Sequence, residues 1–119
     1  MDKLSGNILF VEDDEDLREA ITEALESAGL TVLAAADHRE ALDVLEGKSP
    51  VDLLVTDVIF PGRMHGFALA RMARMRRLGI KVLYLTGSDV PEAEADGKVL
   101  HKPISNEQLI SEVRLALAG

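Results

Sequence analysis

Five acidic residues follow one another from Glu12 to Asp16, directly after the apolar run "ILFV". Adjacent carboxylates repel, so their charge must be offset by water, by a helix N-terminus or by a bound cation. Other groups of reactive type stand far away in the chain, each closing an apolar run: Asp57 after "VDLLVT", Thr86 after "VLYL" and Lys102 after "KVLH". Were Glu12, Asp13 and Asp57 brought together, they would form an oxygen-only ligand set. Such a set favours a hard cation, and Mg²⁺ suits it, because that ion keeps several waters and takes one or two carboxylates plus phosphate oxygens. The chemistry that follows is phosphoryl acceptance. Asp57 would be the nucleophile and form an acyl phosphate, Lys102 would offset charge on the transferring group, and Thr86 would donate a hydrogen bond to it.

Elements that could hold these groups can be read from the periodicity. Asn7 to Val11 reads as a strand. From Leu17 the apolar positions Leu17, Ala20, Ile21, Ala24, Leu25 and Ala28 follow helical spacing until Gly29 stops them. Leu30 to Ala34 is a second strand, and Asp37 with Glu40 forms a capping box before Ala41, Leu42 and Leu45, with Gly47 as the stop. Val51 to Thr56 is a third strand and Phe67 to Leu78 a third helix, ended by Gly79. Lys81 to Leu85 and Val99 to His101 supply two more strands. Ser105 and Gln108 then cap a last helix carrying Leu109, Val113, Ala116 and Leu117.

Alternating strands and helices argue for a parallel sheet covered on both faces, since strands as apolar as "VDLLVT" are buried on both sides. In such sheets functional groups collect outside the carboxyl ends of the strands, where Glu12, Asp13, Asp57, Thr86 and Lys102 all fall. The second strand ends in Ala34, Ala35 and Ala36, which carry no reactive group, as expected of an edge away from the site. Only a short interval separates Thr86 from Lys102, so a fourth helix around "PEAEAD" is at most a turn or two.

The totals narrow the function. A length of 119 residues fits one domain, read as a single unit over 1–119 without an output domain. Lys and Arg number 13 against 21 Asp and Glu, a net charge of −8 that disfavours binding to a phosphate backbone, so no nucleic-acid partner is expected. The absence of cysteine removes disulfides, thiolate metal sites and cysteine nucleophiles. Apolar runs are too short for a membrane span or a signal peptide, and a cytoplasmic protein with no membrane partner is expected.

The stretches "ILFVEDDE", "LLVTDVIFPG", "LYLTGS" and "LHKPI" together resemble, in order, the receiver (phosphoacceptor) domain of two-component response regulators. The resemblance implies a flavodoxin-like, doubly wound, five-stranded parallel α/β sheet of order 2-1-3-4-5 with helices on both faces. It implies Asp57 as the phosphorylated aspartate, Asp13 as a direct Mg²⁺ ligand, Glu12 as a ligand through water and the Ile59 carbonyl as a further ligand. Thr86 becomes the switch hydroxyl and Lys102 the phosphoryl partner, with a cis bond between Lys102 and Pro103. The implied partners are a sensor histidine kinase or histidine phosphotransfer protein and a downstream protein target. On this reading only Glu12 and Asp13 of the acidic run serve the cation. Asp14, Glu15 and Asp16 open a helix whose N-terminal dipole favours negative charge.

Three features depart from the common receiver pattern. "DVIFPGRMHG" has one residue more than usual between Pro61 and Gly66, which places Arg63, Met64 and His65 beside the mouth of the site. Val99 stands where many receivers carry a rotating aromatic residue. The short or absent fourth helix is similar to that of an atypical single-domain subgroup, in which residues 88–97 would order on phosphorylation. These departures leave room for a pseudo-receiver that binds partners without being phosphorylated. An aspartate-nucleophile phosphatase is disfavoured, because such enzymes usually carry a second acid where Ile59 stands. The arginines of "ARMARMRRLG" are expected to form a solvated face that complements the helix C-terminus.

Overall fold

The computed structural model describes residues 4–59 and 65–119. Its elements run β1 (Asn7–Val11), α1 (Glu15–Ser27), β2 (Thr31–Ala35), α2 (His38–Glu46), β3 (Leu53–Asp57), α3 (Gly66–Arg76), β4 (Lys81–Thr86), a 3-10 turn (Glu92–Glu94), β5 (Lys98–His101) and α4 (Asn106–Ala118). All strand pairs are parallel and the sheet order is β2-β1-β3-β4-β5, as the sequence implied.

Alternation along each strand sorts side chains between two cores, because successive residues of a strand face opposite sides. Leu9, Val11, Leu54, Val82 and Tyr84 pack with Ala41 and Leu45 of α2 and with Leu69, Ala70 and Ala73 of α3. Ile8, Phe10, Leu53, Val55, Leu83 and Leu85 pack on the other face with Ile21 and Leu25 of α1 and Leu109 and Val113 of α4. The central strand β3 is buried along its whole length, whereas β2 at the edge is half exposed.

Helix starts follow the capping chemistry. Asp14 caps α1 by accepting from the Leu17 amide at 2.9 Å, with Glu15 and Asp16 in the first turn. Three of the five consecutive acids are thereby accounted for by a helix end. Ser105 and Gln108 form the reciprocal box at α4. At α2 the box is displaced: Asp37 accepts from the Glu40 amide at 2.9 Å, but the Glu40 carboxylate reaches one residue further back, to the Ala36 amide at 2.7 Å. Gly29, after α1, takes φ +106°, a backbone conformation that side chains resist.

The α3 arginines differ from the expected solvated face. Arg77, just past α3, donates to the carbonyls of Leu45 (3.0 Å), Ser49 (2.7 Å), Val44 (3.2 Å) and Gly47 (2.9 Å). It caps the C-terminal end of a different helix, engaging carbonyls of the last turn of α2 and of the residues just past it. Arg76 pairs with Glu46 at 3.3 Å, and Arg74 pairs with Asp96. A planar guanidinium with several diverging donors suits such clustered carbonyls.

The β4–β5 crossover contains only the 3-10 turn Glu92–Glu94, so the expectation of a short or absent fourth helix holds. Arg74 holds its far end through Asp96, and His101 Nε2 lies 3.0 Å from Glu92 Oε2. Arg63 and Met64 lie outside the described residues, as do Phe60, Pro61 and Gly62. Among the described residues no helix is long and apolar enough to cross a membrane.

Candidate metal centre

Four strand ends build a single acidic site at the carboxyl edge of the sheet. Glu12 follows β1, Asp57 ends β3, Thr86 ends β4 and Lys102 follows β5. The register brings them level, since Val11 pairs with Thr56, Asp57 with Leu85, and Thr86 with His101. Glu12, Asp57 and Thr86 are among the few buried polar side chains, at 1%, 5% and 2% exposure. Asp13 is exposed at the mouth.

Carboxylate oxygens of Glu12, Asp13 and Asp57 all lie within 4.8 Å of one another. The Lys102 ammonium bridges two of them, with Nζ 2.7 Å from Glu12 Oε1 and 2.8 Å from Asp57 Oδ1. The peptide bond from Lys102 to Pro103 is cis. Glu12 is further held by the Asp14 amide, which donates to its Oε2 at 3.1 Å. The three-carboxylate donor set, with no nitrogen or sulfur, fits a hard divalent cation and forms the metal-binding cluster typical of Mg²⁺-dependent receivers.

Protonation in this cluster is set by burial and by the neighbours. Burial alone would raise the Glu12 pKa, but hydrogen bonds with Asp57, Lys102 and the Asp14 amide outweigh it and hold Glu12 below its ordinary value. Burial and the adjacent Glu12 push Asp57 up to about 7, against the opposing pull of Lys102. Burial would lower Lys102, yet Asp57 and Glu12 hold its ammonium above its usual range. Near neutral pH the proton of this pair therefore resides on Asp57, beside an ionised Glu12. A second cation would release it, because nearby positive charge favours the ionised carboxylate.

Thr86 hydrogen-bonds within its own turn. Its hydroxyl accepts from the Ser88 amide at 3.1 Å and donates to the Ser88 carbonyl at 3.2 Å. The chain needs glycine at position 66 for a steric reason: a Cβ there would lie 2.0 Å from the Asp57 carbonyl oxygen. The Gly66 amide donates to the Val58 carbonyl at 2.6 Å, so α3 starts directly against the tip that carries Asp57. This requirement is unreadable from the sequence, where "HG" marks only a turn.

Val99 is half-buried and pairs in register with Tyr84. Tyr84 is buried and stacks edge-to-face on Phe67, with ring centroids 4.9 Å apart. Aromatic mass on this face is therefore supplied by β4 and α3 rather than by β5. The Ile59 side chain is 47% exposed. Two residues escaped the sequence reading besides Gly66: Ser88, whose amide donates to the Thr86 hydroxyl and whose carbonyl accepts from it, and Arg18, whose guanidinium reaches the Glu12 carbonyl at 2.9 Å.

Residues 8–114 match the family described as the response regulator receiver domain. The response regulator receiver protein CpdR of Brucella abortus is 35% identical over 116 residues, covering 92% of this chain and 95% of its own. The sensor kinase CckA of the same organism is 36% identical over 118 residues, but the chain spans only 12% of its length. The chain likewise spans about half (49%) of the response regulator MprA of Mycolicibacterium vanbaalenii, to which it is 34% identical. A solved response regulator receiver protein from Sinorhizobium medicae superposes with a TM-score of 0.89 at 28% identity, covering 97% of this chain and 96% of that one.

Proposed function

Because the chain belongs to the response regulator receiver family, a Mg²⁺-dependent phosphoaccepting switch rather than a conventional enzyme, we propose that Asp57 is its phosphoacceptor and Lys102 and Thr86 its phosphoryl partners. The observation that carries this reading is the Lys102 ammonium set between Glu12 and Asp57, with the Asp13 carboxylate closing the cluster. Glu12, Asp13, Asp57 and the Ile59 carbonyl would hold the cation. When bound, Mg²⁺ offsets negative charge on the transferring phosphoryl oxygens.

An Asp57 carboxylate oxygen forms a bond to phosphorus as the phosphorus–nitrogen bond of a phosphohistidine breaks, and the electron pair stays on the imidazole nitrogen. Lys102 already touches Asp57 and is poised to follow the charge onto the phosphoryl group without leaving the site. Thr86 has a single hydroxyl proton, now donated to the Ser88 carbonyl. Turning that proton toward a phosphoryl oxygen draws Thr86 inward and gives up its bond to the Ser88 carbonyl, and residues 88–97 then order anew around the phosphorylated site. Water later attacks the acyl phosphate, releasing inorganic phosphate and restoring the Asp57 carboxylate.

The donor on this reading is a sensor histidine kinase or a histidine phosphotransfer protein, and the recipient of the signal is a protein target, both met in the cytoplasm. The similarity to CckA, itself a sensor kinase, supports the donor class. The test is to incubate the protein with Mg²⁺ and phosphoramidate and weigh it intact beside an Asp57→Asn variant. One labile phosphoryl adduct on the wild type and none on the variant is expected. No adduct on either would make the chain a pseudo-receiver, and an equal adduct on both would place the phosphoacceptor elsewhere.

A further inference from the structure

Glu12 has every polar atom engaged. Its amide donates to the Ala35 carbonyl at 3.0 Å, its Oε1 accepts from Lys102 and its Oε2 from the Asp14 amide. The remaining atom is its carbonyl oxygen, which accepts from Arg18 Nη1 at 2.9 Å. Asp13 contrasts with it: among the described residues no hydrogen bond holds its carboxylate, which is exposed and still lies within 4.8 Å of Glu12 and Asp57. What aims Asp13 is therefore its backbone. The Glu12 carbonyl and the Asp13 amide belong to one planar peptide group, so fixing the carbonyl fixes the direction in which Asp13 leaves β1.

We propose that Arg18 is a positioning residue for the cation site, holding the Glu12–Asp13 peptide so that Asp13 faces Glu12 and Asp57. The inference rests on the reading of these three carboxylates as the Mg²⁺ ligands. Arg18 sits one helical turn past the Asp14 cap, so the reach comes from α1 itself and ties the orientation of Asp13 to the helix that the neighbouring acids begin. Groups that orient a metal ligand through a hydrogen bond typically matter to metal affinity by about tenfold or more. The Arg18 charge acts in the opposite sense, since a cation near the site repels Mg²⁺, and the two effects predict opposite signs when the side chain is truncated.

The test is calorimetric titration of Mg²⁺ into the wild type, Arg18→Met and Arg18→Lys, beside thermal melts of the metal-free proteins. Arg18→Met is expected to bind Mg²⁺ about tenfold more weakly. Arg18→Lys, which keeps the charge and one donor, recovers part of the loss. Phosphorylation of the Met variant by phosphoramidate regains the wild-type rate at saturating Mg²⁺. Unchanged affinity with a lowered melting temperature would reduce Arg18 to a structural role, and tighter binding in the Met variant would make it an electrostatic opponent; either overturns the proposal. If the wild type itself binds no Mg²⁺, the underlying reading of the site fails instead.

Discussion

Asp57 has its pKa pushed up to about 7, and this makes cation binding a proton-release reaction. Mg²⁺ needs the ionised carboxylate. With that pKa, about one molecule in eleven is ionised near pH 6 and about ten in eleven near pH 8, so apparent Mg²⁺ affinity rises roughly tenfold over that interval. The proton comes from Asp57 rather than from Lys102, whose ammonium is held above its usual range by the two carboxylates it touches. The sign follows for stability as well. The native metal-free protein holds the Asp57 proton at a pH where the unfolded chain has lost it. Raising pH from the ordinary aspartate range through about 7 therefore lowers stability through this group. Mg²⁺ restores stability above neutrality. Titration calorimetry in two buffers of different ionisation heat, near pH 6, counts the protons released. Close to one per Mg²⁺ is expected for the wild type and close to none for Asp57→Asn. An affinity that is flat between about pH 6 and pH 8, or equal proton release from both proteins, would refute the argument.

Three further outcomes are expected. Arg77→Met removes bonds to Val44, Leu45, Gly47 and Ser49, two of them half-buried, and should lower unfolding free energy by about 2–4 kcal/mol in urea titration, with Lys at that position recovering less than half. Gly66→Ala forces the start of α3 away from the Asp57 carbonyl. It should cost about 1–3 kcal/mol and slow phosphoryl uptake from phosphoramidate, measured by intact mass against time. Thr86→Ala should still accept a phosphoryl group, but hydrogen exchange across residues 88–97 should then be the same with and without it, whereas in the wild type it should differ.

The parts of the fold legible in the sequence are those set by local rules. Apolar runs marked every strand, and β1 was placed to the residue. Edge strand β2 sits one residue later than its apolar run indicates, because pairing Val11 with Ala35 sets its end and the run itself does not. The acids and Lys102 were readable because parallel sheets gather reactive groups at their carboxyl tips. Contacts across the fold were not readable. Arg77 meets carbonyls some thirty residues away, and nothing in "MRRLG" separates a long-range cap from a solvated charge. Gly66 and Arg18 were opaque for the same reason: the atoms that give them meaning come from β3 and from the backbone of Glu12.

The guanidinium of Arg77 has one more consequence. Because the end of α2 is finished by a side chain rooted beyond α3, neither helix can peel from the sheet alone: loosening one strips the other of its partners. That half of the molecule is expected to open as one cooperative block, whereas the segment from Ser88 to Gly97, held by the pairs at Asp96 and Glu92 and by Val90 and Ala95 against the core, is expected to open at lower cost. The protein thus has a stiff flank and a yielding flank on either side of one reactive edge.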